Sequence, residues 1–299
     1  MQWKGVMPAI TTAFDAELKV DAAAVEKHCR WMIESGCTGI IALGSLGEGA
    51  TLSYEEKLEV VSACVRAVGK TSPVVAAISA LSTAEAVKTA KASADRGCRG
   101  LMVLPPYVYK GDWREMRAHM SAVIRATPLP CMLYNNPISY GTDFLPEQIA
   151  DLAAEHSNLR AVKESSADVR RVTAIRAITG DRLQIFVGVD DAIVEGIAMG
   201  AVGWVAGLVN AFPRESVQLF DLAIKGEREI ADELYRWFLP LLRMDTVPKF
   251  VQLIKQVQQE VGKGSARVRM PRMEVVGAEL EQCRAVVREA LASRPEVTV

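Results

Sequence analysis

The chain has 299 residues, half of them hydrophobic, with 35 Lys+Arg against 36 Asp+Glu. It can bury one large core or two modest ones, and its balanced charge gives no electrostatic footprint for nucleic acid. No apolar run is long enough for a bilayer and no charged-then-apolar leader opens the chain, so no membrane partner is expected. The cysteines (Cys29, Cys37, Cys64, Cys98, Cys131, Cys283) have no close paired spacing, and His28, His119 and His156 sit in helix-like polar contexts. Neither a metal site nor any other cofactor is expected, and the compartment reads as a reducing cytoplasm.

In chain order, Ala9–Phe14, Gly39–Gly44, Val74–Ser79 and Gly100–Leu104 read as strands. Cys131–Tyr134, Arg160–Lys163, Gln184–Gly188 and Gly203–Ala206 read as four more. All are nearly continuously apolar, as parallel strands covered on both faces are. Amphipathic helical patterns follow them. Asp21 stands before Ala22–Glu34, Ser53 before Tyr54–Val68 and Ser82 before Thr83–Arg96, with capping-box spacing at Ser53/Glu56 and Ser82/Glu85. Eight strand–helix units predict an α/β fold, a closed (β/α)8 TIM barrel over residues 1–225. A doubly wound open sheet is disfavoured because no dinucleotide glycine fingerprint follows the first strand. From about Arg228 the pattern becomes wholly helical, so residues 226–299 are expected to pack on the barrel as a C-terminal helical extension.

In such a barrel the strand C-terminal ends and following loops carry the chemistry. Ser45, Tyr134, Lys163 and Gly188 all fall there. A lysine ending an apolar strand is costly to desolvate as a cation, and a neutral amine can form a Schiff base with a carbonyl or imine carbon. Tyr134 would move protons to and from the carbinolamine. Gly44-Ser45-Leu46-Gly47-Glu48 lies between a strand and a helix, where exposed backbone N–H groups can hold a carboxylate. Ser45 could relay a proton to Tyr134. Taken singly, each residue has a plainer reading: a strand-ending solvated lysine, an ordinary tyrosine, a glycine-rich connection. Their convergence favours catalysis. Glu48 is expected to anchor the loop by accepting backbone hydrogen bonds, Glu164 to be a surface charge, and Asp190-Asp191 a helix cap.

With these residues in place, the chain resembles the dihydrodipicolinate synthase/N-acetylneuraminate lyase superfamily over nearly its full length. The matches are Gly44–Glu48 with Ala50-Thr51-Leu52, Pro105-Pro106-Tyr107, Tyr134-Asn135-Asn136-Pro137 and Val162-Lys163-Glu164. The resemblance implies a barrel with a helical C-terminal extension, assembled as a homotetramer of dimers. It also implies Schiff-base chemistry on Lys163, proton transfer through Tyr134, and carboxylate binding by Ser45 with the Leu46 backbone. Departures matter too. Leu46 stands where synthases usually carry a second threonine, and Ser139 where they carry an arginine for the carboxylate of aspartate semialdehyde. A neutral side chain cannot replace a bidentate guanidinium grip. Val108 replaces the expected partner-subunit tyrosine, leaving Tyr107 or Tyr109 as substitutes.

The resemblance extends, through Gly188-Val189-Asp190-Asp191, Gly200–Trp204 and Asn210-Ala211-Phe212-Pro213, to the branch of hydroxyproline breakdown. It suggests a 1-pyrroline-4-hydroxy-2-carboxylate deaminase that opens the cyclic imine on Lys163 and releases 2-oxoglutarate semialdehyde and ammonia. The expected partner is thus a small 2-oxo acid or its cyclic imine, bound by Leu46, Tyr107, Ser139 and Gly188 around the catalytic Lys163, Tyr134 and Ser45. The alternatives are an aldolase or dehydratase of a 2-keto-3-deoxy sugar acid, with hydroxyl partners near Ser139, Ser165, Ser166 and Asn210, or a 4-hydroxy-tetrahydrodipicolinate synthase. More distant is a non-catalytic barrel that binds a 2-oxo acid.

Overall fold

The computed structural model describes residues 1–296. Eight parallel strands form one sheet in the order β1-β8-β7-β6-β5-β4-β3-β2. They are β1 Gly5–Pro8, β2 Ile40–Ala42, β3 Val74–Ile78 and β4 Gly100–Val103, then β5 Cys131–Asn135, β6 Leu159–Glu164, β7 Gln184–Val187 and β8 Gly203–Ala206. The ring is completed between β1 and β2 by a parallel bridge from Ala9 to Ile41, where Ile10 N–H donates to Ile41 O at 2.9 Å. This is the predicted (β/α)8 barrel. Strand residues are buried almost without exception, because each strand packs on the interior and on the helix layer at once.

The helices α1 Ala22–Glu34, α2 Tyr54–Val68, α3 Thr83–Asp95 and α4 Trp113–Ile124 cover the first four units. A short α5, Pro137–Tyr140, precedes α6 Pro146–Glu155; α7 Arg170–Thr179, α8 Ile193–Ala198 and α9 Pro213–Lys225 complete the layer. Asp21 caps α1 by accepting from Ala24 N, and Ser53 with Glu56 forms a full capping box. At Ser82 only half the box is present: its hydroxyl accepts from Glu85 N.

Three expectations are corrected. The first strand is Gly5–Pro8; the run 9–14 is its C-terminal loop. Ala9, Ile10 and Phe14 are buried there, and Thr12 Oγ1 donates to Gly47 O at 2.7 Å, so the run is apolar because it packs beneath other loops. The region beyond Arg228 is also not wholly helical. It contains α10 Arg228–Leu242, α11 Phe250–Glu260 and α12 Gly277–Ala292, but residues 261–276 are irregular and include a cis Met270–Pro271 bond. The expected extension reached residue 299, and its last three residues lie outside the described ones. Nor are the histidine contexts all polar: His119 on α4 and His156 at the end of α6 are buried, beside Thr83 and Ser121 respectively.

Candidate active site

The C-terminal ends of the strands surround a cavity of about 750 Å³, within the usual range for small-molecule sites. Lys163 on β6 and Tyr134 on β5 are paired in register and are 6 % and 4 % exposed. The Lys163 Nζ lies 4.2 Å from the centroid of the Tyr134 ring. Burial lowers the Lys163 ammonium from 10.5 to about 8, while the carboxyl groups of Asp245 and Asp190 pull it back up. Burial raises the Tyr134 phenol above its ordinary value, against a hydrogen bond that its oxygen accepts from Asn136 Nδ2 at 2.9 Å. A buried amine thus stands against a phenol that keeps its proton.

Gly188, just beyond β7, is required by this arrangement. A Cβ there would meet Lys163 Cε at 2.6 Å and Ser165 Oγ at 1.9 Å. Its role is to leave room for the lysine.

The glycine loop forms another wall. The N–H groups of Glu48 and Gly49 donate to Ser45 O and Gly44 O at 3.1 and 3.2 Å, closing the turn, and Gly44, Ser45 and Leu46 line the cavity. A Cβ on Gly49 would lie 2.1 Å from Leu43 O, so the turn needs glycine there. Glu48 does anchor the loop, but mostly to the C-terminal region: Oε1 accepts from Lys255 Nζ at 2.7 Å and Oε2 from Arg269 N at 3.0 Å.

Ser45 Oγ is hydrogen-bonded to the hydroxyl of Tyr140, a residue the sequence reading passed over. The Tyr140 ring meets Tyr134 edge-on at 5.9 Å and is tilted against Tyr107 at 5.9 Å. Tyr107 lines the cavity, whereas Tyr109 is 59 % exposed outside it. Ser139 lies at the exposed mouth. All seven residues expected at the site (Ser45, Leu46, Tyr107, Tyr134, Ser139, Lys163 and Gly188) therefore face one cavity.

Other expectations change. Glu164 is buried, accepting from Asn135 Nδ2 at 3.1 Å and Ser166 N at 2.7 Å. Asp190 is also buried and accepts from Trp204 Nε1 and from the N–H groups of Gly207 and Leu208, tying the β7 and β8 loops together. It is no helix cap, and burial pushes it up to about 6 despite those bonds. Asn210 is buried and committed to Thr11 N, Ala9 O and Gly207 O.

The sequence also gave no hint of Asp245, Thr246, Val247, Pro248, Phe250 and Arg272, which line the cavity from the C-terminal region. Among the described residues no group of three or more His, Cys, Asp or Glu is arranged to hold a metal. No helix among them is long and apolar enough to cross a membrane.

Comparison with known proteins agrees with this architecture. The dihydrodipicolinate synthetase family matches residues 2–290. A 4-hydroxy-tetrahydrodipicolinate synthase of Geotalea uraniireducens is 32 % identical over 291 residues, spanning 96 % of this chain and 98 % of the relative. The structure of the 4-hydroxy-tetrahydrodipicolinate synthase from Methylacidiphilum fumariolicum SolV superposes with a TM-score of 0.94 at 27 % identity, covering 97 % of each chain. A chloride-inhibited dihydrodipicolinate synthase from Acinetobacter baumannii, complexed with pyruvate, gives 0.90 at 28 % identity over 96 % of this chain and 98 % of its own. This chain therefore belongs to the dihydrodipicolinate synthetase family, whose superfamily consists of class I lyases.

Proposed function

We propose that the protein forms an imine between Lys163 and the second carbon of a small 2-oxo acid or its cyclic imine. The observation that carries this reading is the buried amine of Lys163 against the Tyr134 ring in a cavity roomy enough for substrate. Attack by the neutral amine gives a carbinolamine, and Tyr134 supplies the proton with which its oxygen leaves as water. The resulting iminium draws electrons from the third carbon and acidifies its protons. The backbone of Ser45 and Leu46 holds the substrate carboxylate, and Ser45 passes protons through Tyr140, its hydrogen-bond partner. The pyruvate bound in the Acinetobacter relative supports a 2-oxo acid as first substrate.

For the second step, the relatives' names support 4-hydroxy-tetrahydrodipicolinate synthesis from pyruvate and aspartate semialdehyde, more directly than the deamination suggested by sequence motifs. Arg272 adds to that support, because a guanidinium on the cavity wall can grip a second carboxylate. The deaminase remains the second reading, favoured by Ser139 at the turn after β5, where no cation is offered. A sugar acid is supported less, since Asn210 has its amide committed elsewhere. Purified protein given pyruvate with aspartate semialdehyde, or 1-pyrroline-4-hydroxy-2-carboxylate alone, separates these readings. Condensation product without ammonia supports the synthase. Ammonia and 2-oxoglutarate semialdehyde, with little condensation, would replace it by the deaminase.

The same proposal includes assembly as a homotetramer, supported by exposed Leu81 and Val108. It also includes residues 226–299 as an extension serving the site, and a reducing cytoplasm, supported by six buried free thiols.

A further inference from the structure

Two carboxyl groups line the cavity among the described residues, Asp191 and Asp245. Asp191 is engaged, with its carboxylate 3.6 Å from Arg243. Asp245 is not. It ends a single 3-10 turn, Arg243–Asp245, between α10 and α11. The residue is partly exposed as a whole, yet its Oδ1 is shut off from solvent and has no hydrogen-bond partner. It packs so tightly over β8 that a Cβ on Gly207 would lie 2.0 Å from Oδ1.

A buried carboxyl oxygen without a donor is costly as part of an anion. Burial and the neighbouring Asp190 and Asp191 all push the Asp245 carboxyl upward, with only Lys163 opposing them. Asp190 differs, because three donors hold its carboxylate. Of the two carboxyls that act on this amine, Asp245 is the one whose surroundings give its anion no hydrogen-bond donor.

We propose that Asp245 is the acid of this site and that its carboxyl proton goes to the oxygen on the fourth carbon of the Lys163-bound substrate. With the carboxylate at Ser45–Leu46 and the second carbon on Lys163, the distal carbons are left to the rest of the lining, which includes Arg272. The Asn136–Tyr140 turn offers amide, hydroxyl and phenol groups; the Gly207/Asp245 side offers a carboxylic acid. The inference rests on the Schiff-base reading and serves both second steps. In condensation, the enamine's third carbon bonds to an aldehyde carbon. The carbonyl π bond breaks, its oxygen takes the Asp245 proton, and the iminium is restored. In elimination, the enamine pair forms a double bond between the third and fourth carbons. The C–O bond breaks, and the hydroxyl leaves as water with that same proton. Either way Asp245 is left as carboxylate and recovers its proton from water, with no change of oxidation state.

The test is Asp245→Asn, which keeps the shape over Gly207 but removes the acid; Asp245→Ser, smaller at the same contact, serves if the amide variant does not fold. Pyruvate followed by borohydride should still label Lys163, because attack by the amine does not draw on the Asp245 proton. Turnover of pyruvate with aspartate semialdehyde, or of the hydroxypyrroline, should fall by about 10²–10⁴-fold. Near-normal turnover overturns the proposal. So does a label that is lost, which would make Asp245 a residue that positions Lys163. Unaltered protein that labels with pyruvate but turns over neither substrate overturns it as well. Unaltered protein that fails to label at all brings down the Schiff-base reading itself, a separate result.

Discussion

Lys255→Met should uncouple the glycine loop from the C-terminal helices. Glu48 and Lys255 are 0 % and 2 % exposed and meet at 2.7 Å, with the ammonium 4.3 Å from the centre of the Phe14 ring. The Glu48 backbone is left-handed (φ 54°), a conformation that costs a non-glycine residue about 1–2 kcal/mol. The inward bonds of its carboxylate hold it there. Burying the two charges is expensive and their attraction roughly offsets the cost, so the pair adds little net stability. Removing one partner is different. The Glu48 carboxylate keeps only the Arg269 N–H, and the expected loss is about 3–5 kcal/mol. Ser45 and Leu46 lie three and two residues away on the same loop, so the KM for pyruvate should rise more than kcat falls. Urea melts at fixed protein concentration and pyruvate saturation curves measure both effects. The double variant Glu48→Gln/Lys255→Met, which leaves no unpaired charge, should recover much of the stability. A Lys255→Met protein within 1 kcal/mol of the original and with unchanged KM would refute this reasoning.

Imine formation should rise with pH and level off above about 8, where Lys163 loses its proton. At pH 7 about 9 % of such an amine is neutral, about 300-fold more than for a lysine of ordinary pKa; a trapping rate still rising steeply at pH 10 would contradict the desolvated lysine. Tyr134→Phe keeps the ring beside Lys163 and should cost about 10²–10⁴-fold in rate with little change in melting temperature. Tyr140→Phe should lower kcat more than Tyr107→Phe, because only Tyr140 is bonded to Ser45; equal effects in steady-state kinetics would remove Tyr140 from the relay.

The strand ends that carry Lys163, Tyr134 and Gly188 were legible in the sequence because a parallel barrel strand is a short apolar run, and its first polar residue marks the mouth. The glycine loop was legible for a related reason: Gly47 and Gly49 sit where a Cβ would strike backbone. The first strand was not, because Gly5-Val6-Met7-Pro8 opens on a glycine and ends on a proline, while the buried loop after it is more apolar than the strand. Asp245 and Arg272 were hidden for want of any local signal. They are brought to the cavity by the packing of a region more than eighty residues beyond Lys163 in the chain, and no periodicity in their own segments points there. Glu164 and Asp190 were misread because their burial depends on donors from Asn135, Trp204 and the β8 loop, contacts that exist only once the barrel has closed.

The most direct measurement is the mass of the protein after incubation with pyruvate and borohydride, followed by peptide mapping. A stable pyruvate-derived adduct on Lys163 is expected. It should be absent from Lys163→Ala, whose melting curve should otherwise resemble that of the unaltered protein, and addition of a chelator should not change it. An unmodified Lys163 in protein that is turning over substrate would contradict the account.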